Sequence, residues 1–307
     1  MRHQRGVAVI TAILIVAVAA SAATFMLAQQ SAMIGQATLL ASRAQADLYV
    51  DAGFDWSRGV LTEDARRAGA VDHPGEGWAQ PIVGLPVERA VVAGAIADEQ
   101  GKFNLNNLAI GGRSDADLKI LQRILKELAL PAELADAVMD WIDADADITG
   151  NGGAEDAHYL SLRRPYRTAN QLMVQVDELH RVRGFDAATV AKLRPHVTAL
   201  PGRRAVNINT TTAVVLAAIL DGKVPADKIA ERIALRASRP MISLTEIAQW
   251  APTADVRAVN TDLTVKSEFF SVRVQVAQDD VQVAAEALVQ RNPQNGATSI
   301  AWRRPIY

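Results

Sequence analysis

The chain has no cysteine. That excludes disulfides, cysteine-ligated zinc, lipoprotein acylation and thiol catalysis, but it fixes no compartment, since an exported protein can do without cysteine. Aromatic residues are scarce at 5% against 50% hydrophobic overall, so the core rests on Ala, Val, Leu and Ile, a mix that suits helix and sheet together. Charge of one sign is also missing: Lys plus Arg total 32 and Asp plus Glu 34, a balance that argues against a nucleic-acid partner. No Gly-rich phosphate loop, His-Glu-x-x-His pair or Gly-x-Ser-x-Gly elbow occurs. His158, His180 and His196 are isolated in sequence and read as surface or core histidines, and no catalytic residue is assigned.

One absence is local. After a short leader carrying Arg2, His3 and Arg5, there is no charged side chain from Val7 to Ser42, and the first half of that run is almost wholly apolar. A helix over residues 7–27 would span roughly 30 Å, the thickness of a bilayer's hydrocarbon core. Positive charge before the span places the N-terminus in the cytoplasm and the bulk of the chain outside. The alternative is a removable secretory signal, for which Ser21, Ala22 and Ala23 offer small residues. Against it, the uncharged helical pattern runs on through Met26, Leu27, Met33, Leu39 and Leu40 without a proline or turn cluster.

Beyond the span, Leu40, Ala44, Leu48, Ala52, Trp56 and Val60 recur every four residues and predict one helix continuing to about Arg67, punctuated by Gly69 and the Asp72-His73-Pro74-Gly75 turn. Residues 87–97 predict a strand, Asp98 to Gly101 a turn, and residues 102–105 a short returning strand. From Ser114 to about Asn260 the pattern is helical, with segments expected at 118–128, 134–142, 169–176, 187–193, 210–220, 226–237 and 244–249. A weak internal repeat runs through it. Phe103-Asn104-Leu105-Asn106 and Val206-Asn207-Ile208-Asn209 each precede a helix, and each is followed downstream by an acidic-apolar pair, Asp177-Glu178-Leu179 and Thr245-Glu246-Ile247. The end of the chain alternates with period two through Phe270, Val272, Val274 and Val276, then Val281 to Val289, then Thr298, Ile300 and Trp302, which predicts an antiparallel meander. A strand pair before the helices and three strands after them would join into one sheet. The expected architecture is α+β, a long helix packed on an antiparallel sheet with a large all-α domain inserted.

Between Glu127 and Leu162 there is no Lys or Arg but nine carboxylates, six of them within residues 140–156: Asp140, Asp143, Asp145, Asp147, Glu155 and Asp156. Asp140 and Asp143 fall at a helix C-terminus, where the dipole disfavours negative charge. Thr149, Gly150, Asn151, Gly152 and Gly153 let the chain fold back toward Glu155 and Asp156. Such repulsion needs relief, and a hard cation with six to eight oxygen ligands supplies it, calcium suiting a flexible all-oxygen loop better than magnesium. An ordinary EF-hand is not expected, because Ile148 takes the glycine place and the late glutamate falls one position beyond the usual twelfth. A solvated acidic loop and a glycosidase-type carboxylate pair are the competing readings. Arg163-Arg164 and Arg203-Arg204 are basic pairs, read as solvated faces or partners for that loop. The Val206-Asn207-Ile208-Asn209-Thr210 segment looks like half of a DNA-gripping helix-hairpin-helix module, but the Gly-x-Gly hairpin such modules use is missing.

Arg5-Gly6 followed by an apolar helix resembles the type IV prepilin signal, in which a prepilin peptidase cuts after Gly6 and Val7 becomes the N-methylated first residue. Most pilins carry glutamate at the fifth mature position, and here it is Thr11. That absence, together with Asp98-x-x-Gly101-Lys102-x-Asn104-x-Asn106, Asp140-Trp141-Ile142-Asp143, the acidic loop through Gly153-Ala154-Glu155, and Val206-Asn207-Ile208-Asn209-Thr210, resembles the type II secretion system protein K family of minor pseudopilins over essentially the whole chain. The resemblance implies a pilin-like fold with an inserted α-domain, an inner-membrane single-pass anchor with the bulk of the chain in the periplasm, and a place at the pseudopilus tip beside minor pseudopilins I and J and the other pseudopilins. It divides the chain into a prepilin leader (1–6), an N-terminal helix (7–68), a first part of the sheet (69–107), an inserted helical domain (108–262) and a second part of the sheet (263–307). It also implies calcium, carried onto Asp143, Asp145, Asp147, Glu155 and Asp156, with Asp140 supporting these ligands or serving a second ion.

Three classes of function remain: a non-enzymatic assembly subunit; a membrane-anchored calcium-dependent binding module such as a DNA receptor, which the acidic segment opposes; and a tethered glycosidase.

Overall fold

The computed structural model describes residues 4–67, 71–255 and 258–306. The leader's Arg2 and His3, and Gly69 at the expected end of the first helix, lie outside the described residues. Helix α1 runs Gln4–Arg67, 64 residues and therefore roughly 95 Å. Its first part, from Val7 to Ala41, is exposed throughout.

Beyond Ala41, α1 buries Ser42, Ala46, Val50, Phe54, Ser57 and Leu61. The face expected from sequence is a different one: Leu40, Leu48 and Trp56 stay 67%, 67% and 53% exposed. Two residues along a helix turn it by about 200°, so the buried and expected stripes lie on opposite sides. The sheet takes the side with small residues. A Cβ at Gly53 would lie 2.8 Å from Val274 Cγ1, so only glycine lets helix and sheet approach this closely. The result is a helix apolar on two faces, one of them used by its own fold.

The sheet has five antiparallel strands in the order β1 (Ile82–Val87), β2 (Ala90–Asp98), β7 (Phe269–Gln278), β8 (Val281–Arg291) and β9 (Thr298–Ile306). The three late strands fall where period two places them. The joint between early and late chain is β2 on β7, in register from Ala90 opposite Gln278 to Asp98 opposite Phe270. The early pair differs from expectation. β2 pairs backward with β1, whose Gly84 at φ +68° and Pro86 disguise the alternation that marks a strand; proline is tolerated there because β1 is an edge. Phe103–Asn104 (β3) does not return along β2 but pairs in parallel with β4 (Val197–Thr198), inside the helical part.

The helical part comprises α2 (Asp115–Glu127), α3 (Leu134–Ile142), α4 (Asp156–Leu160), α5 (Ala187–Leu193), α6 (Ala213–Ile219), α7 (Ala226–Leu235) and α8 (Leu244–Trp250), with β5 (Val206–Asn207) paired in parallel to β6 (Leu263–Thr264). No helix forms over the expected 169–176. There the backbone is pinned elsewhere, Asn170 N to Trp141 O at 3.1 Å and Met173 N to Asn106 Oδ1 at 2.8 Å, and only a 3-10 turn, Val176–Arg181, follows.

Two cores result. Ala46, Val50, Phe54 and Leu61 of α1 pack on Ile96, Phe270, Val272, Val274, Val276 and Val289, while Leu121, Ile124, Val138, Trp141, Tyr159, Leu193 and Leu216 centre the other. Leu200, Phe269 and Leu288 form a small cluster between them, with Trp302 against it.

The repeat is written in hydrogen bonds. Asn106 gives Nδ2 to Met173 O at 2.9 Å and takes Met173 N at 2.8 Å; Asn209 gives Nδ2 to Met241 O at 3.0 Å and takes Met241 N at 2.9 Å. Four to five residues on, Glu178 accepts from Val174 N and Glu246 from Ile242 N. Each lap opens and closes on its own two-residue parallel pair, β3 with β4 and β5 with β6. These asparagines are buried to within 1% and act as an amide clasp that a merely turn-forming asparagine would not supply.

Candidate metal centre and domain junction

Helix α3 is buried along its whole length, and it carries Asp136 and Asp140 into the interior. Asp140 is fully buried, and its carboxylate accepts Thr149 N at 3.0 and 3.2 Å, drawing the returning loop under the helix end. Asp136 takes Gly152 N and Gln122 Nε2, each at 3.3 Å. The glycines make this closure possible: a Cβ on Gly153 would collide with the Asp140 carboxylate and the Thr149 backbone.

Asp143 sits at the C-cap of α3, its amide bonded to Met139 O at 2.9 Å. Its side chain is only 6% exposed, and neither carboxylate oxygen has a hydrogen-bond partner; Glu155, 5% exposed, has Oε1 in the same condition. Burial, then repulsion from Asp145 and Asp140, pushes the Asp143 carboxyl up to about 6, and burial with repulsion from Asp140 pushes Glu155 up to about 7. Asp140 is raised as well, by burial first. An unpaired buried acceptor is costly, and an unpaired carboxylate more so.

Asp145 and Asp147 stand on the exposed limb of the loop, where Asp145 Oδ1 accepts Asp147 N at 2.8 Å. The fold thus brings Asp140, Asp143, Asp145, Asp147 and Glu155 into one electrostatic field. Asp156 is engaged elsewhere, accepting Thr168 N at 3.0 Å and Thr168 Oγ1 at 3.2 Å and lying 3.7 Å from Arg167. Among the described residues, the trio of acids whose ligand atoms all lie within 4.8 Å of one another is Asp64, Asp72 and Glu76, away from this loop. That trio is already served. Arg291 binds Asp64 and Asp72, and Glu76 Oε2 takes His73 N and Trp78 Nε1. The loop's donors are spread wider: buried oxygens without a partner, both of Asp143 and Oε1 of Glu155, on one side and two acids in solvent on the other. An all-oxygen set of this kind could hold only a hard cation, of which calcium would suit its uneven geometry better than magnesium.

Sequence reasoning missed the groups that frame this loop. Thr168, Arg113 and Arg183 are single polar residues outside the acids, and only contacts reveal them and the bonds made by Thr149, which sequence places in the returning turn: Arg113 Nη1 to Thr149 Oγ1 at 2.6 Å and Arg183 Nη1 to Gly153 O at 2.9 Å. The basic pair Arg203-Arg204 does not serve the loop. Arg203 binds Asp117 and Asp262, and Arg204 binds Glu268, while Arg163 and Arg164 are exposed.

A second polar centre joins the two cores. Asp98, at the end of β2, accepts Gln100 N at 2.8 Å, Ser267 Oγ and Thr210 Oγ1 each at 2.6 Å, and Asn207 Nδ2 at 3.0 Å. It therefore ties the sheet to the second asparagine lap and to the strand that returns. Burial pushes its carboxyl up to about 6 in spite of those donors. On the far side, Arg304 of β9 reaches Asp177 at 2.8 Å and Glu286 at 3.0 Å, and Arg194 with Arg304 holds Asp177 down at about 2.

Comparison with known proteins gives this arrangement a relation. Residues 101–202 match the family model described as type II secretion system protein K, a stretch that runs from β3 through the acidic loop to β4 and so covers the first lap. A type II secretion system protein K of Aeromonas hydrophila is 32% identical over 96% of this chain and 95% of its own length. The chain belongs to the type II secretion system protein K family. The protein K of Pseudomonas aeruginosa is likewise 32% identical, over 94% of this chain and 90% of its own. In three dimensions the fold matches the crystal structure of the GspK-GspI-GspJ complex from the enterotoxigenic Escherichia coli type 2 secretion system, with a TM-score of 0.71, 26% identity, and coverage of 86% of this chain and 96% of that one. The pilin-like sheet with a helical insertion is therefore the fold of this family. In this member, α1 is the one helix among the described residues long and apolar enough to cross a membrane.

Proposed function

We propose that this protein is a non-enzymatic minor pseudopilin seated at the tip of the type II secretion pseudopilus, where it starts or caps assembly for the export of folded proteins from the periplasm across the outer membrane. The observation that carries this reading is the likeness of the whole architecture to a relative solved in complex with GspI and GspJ. Minor pseudopilins I and J are accordingly the proposed neighbours, with other pseudopilins below, an inner-membrane anchor, and prepilin peptidase acting between Gly6 and Val7.

Two features of α1 support a tip position. Thr11 closes on its own helix, its Oγ1 within 3.0 Å of both Val7 O and Ala8 O, so the fifth residue after Gly6 offers no carboxylate to a neighbouring subunit's amine. A subunit with nothing ahead of it needs none. The exposed stripe of Leu40, Leu48 and Trp56 is an apolar helix face left over after the sheet is covered, and it suits packing against a partner helix. Calcium is the proposed ligand of the acidic loop, with Asp143 and Glu155 as inner donors, Asp145 and Asp147 closing from solvent, Asp140 setting the loop, and Asp156 alongside through its Thr168 contacts. When bound, the ion supplies the positive charge that residues 127–162 lack.

The test is mass spectrometry of the N-terminal peptide from protein matured in its native membrane. The expected peptide begins at a methylated Val7. A peptide beginning near Ala23 or Thr24, or an intact Met1, removes the pseudopilin assignment and leaves an exported or tethered protein.

A further inference from the structure

The acidic loop has no cation of its own, since no Lys or Arg occurs from Glu127 to Leu162. Three arginines reach it from outside. Arg167 stands 3.7 Å from Asp156, and Arg183 donates to the carbonyl of Gly153 at 2.9 Å. Arg113 comes from the turn ahead of α2. It steadies Nε on Asp115 at 2.9 Å and donates Nη1 to Thr149 Oγ1 at 2.6 Å. Thr149 in turn gives its amide to both oxygens of Asp140, so one residue separates the guanidinium from the buried carboxylates. The field of Arg113 opposes the rise of both Asp140 and Asp143, and its own proton is held more firmly by the bond to Asp115 first and by Asp143 and Asp140 after it.

We propose that Arg113 is the resident counter-cation of the ion site, holding the acidic loop together while no ion is bound and competing with an arriving divalent cation, so that it sets the site's affinity. The inference rests on the calcium reading given above. A fixed positive charge beside a cluster of carboxylates relieves their repulsion, and the same charge repels a dication that comes to do the same work. Arg113 is exposed, so the repulsion acts through solvent and is weakened by salt. This gives a sign that distinguishes it from a scaffold. If Arg113 served only to pin Thr149, its loss would loosen the loop and weaken binding; as a competing charge, its loss tightens binding.

The experiment titrates calcium chloride calorimetrically into the full-length protein in detergent, as wild type, Arg113→Gln and Arg113→Lys, at about 20 mM and about 500 mM sodium chloride, where the screening length shrinks several-fold. The expected result at low salt is that R113Q binds calcium about three- to tenfold more tightly than wild type, the effect of one charge on a dication at several ångströms in water-like surroundings. R113K, which keeps the charge, stays within about twofold, and the R113Q gap closes at high salt. In chelator, R113Q melts at a lower temperature than wild type while remaining folded. Binding by R113Q that is equal to or weaker than wild type at low salt overturns the proposal while leaving the calcium site in place. Failure of the wild type to bind calcium overturns both.

Discussion

Glu155→Gln at the acidic loop should change the protein's stability in opposite directions according to whether calcium is present. The side chain is 5% exposed, Oε1 has no partner, and Oε2 takes only Thr168 Oγ1 at 3.3 Å. Its carboxyl is raised from 4.5 to about 7 by burial and by its acidic neighbours. A folded-state value above the unfolded one means that the group's contribution to stability is complete below pH 4.5 and is lost as pH rises through 7. At pH 8 without an ion the ionised side chain therefore costs about 3 kcal/mol, taking 1.36 kcal/mol per unit, and the neutral amide removes that cost. For a cooperative unit of this size, such a gain raises the melting temperature by about 6–12 °C. The assay is thermal unfolding of full-length protein in detergent at pH 8, followed by fluorescence, which reports on Trp141 packed edge-on to Tyr159 at 5.3 Å. In chelator E155Q should melt above wild type. In calcium at about a thousandfold excess over the wild-type dissociation constant the order should reverse, because wild type gains about 4.1 kcal/mol and the variant gains much less. At pH 4 in chelator the two should converge. A variant that is less stable than wild type at pH 8 in chelator would refute the reasoning and make Glu155 an ordinary structural acceptor.

Asp98→Asn tests the junction. Its raised value near 6 means that wild type loses about 3 kcal/mol of this group's contribution as pH rises from 4 to 7, so denaturation midpoints of D98N should change less over that window; an equal slope counts against it. Asn209→Ala strands the buried amide and carbonyl of Met241 and should cost about 2–4 kcal/mol in urea unfolding, with Asn106→Ala similar; a loss under 1 kcal/mol would mean water replaces the clasp. Leu48→Asp and Trp56→Asp should leave stability within about 0.5 kcal/mol while abolishing co-purification with minor pseudopilins I and J, and retained co-purification would free that face of a role. Thr11→Glu should leave the soluble fold intact and alter only assembly, measured as pseudopilus formation against an unchanged melting temperature.

The large divisions of the fold could be read from the chain because they rest on periodicity. The period-two alternation of Phe270 to Val276 and the amphipathic spacing of Leu118 to Leu125 are signals of local sequence, and the structure returns them as β7 and α2. What was illegible depends on a partner. Helix α1 offers two apolar stripes, and which is buried was settled by the sheet's need for a close approach at Gly53, a fact that resides in Val274. β1 is hidden by Gly84 and Pro86, and the pairing of Phe103 with Val197 spans too many residues for any local pattern to announce it. In the candidate site the acids were visible as a cluster. The division of labour among them was not, since the diversion of Asp156 to Thr168 and the burial of the Asp143 carboxylate and of Glu155 Oε1 without partners follow from how the loop folds back.

The two asparagine clasps close laps of different length, 67 residues from Asn106 to Met173 and 32 from Asn209 to Met241. The longer lap carries the acidic loop and α4, and the shorter has no counterpart to them. Doubling a loop costs only about 0.6 kcal/mol in closure entropy, so the clasp accommodates the extra chain with little loss of stability. The second lap thus has the form of the first without the acidic excursion. It shows that the frame of strand, asparagine, helix pair and returning strand closes without any acidic segment, which makes the segment an appendage that can be lengthened, shortened or exchanged while the frame stays shut. Divergence among relatives in how they hold an ion, or whether they hold one, would then be free to accumulate within that single excursion, leaving the five-stranded sheet untouched.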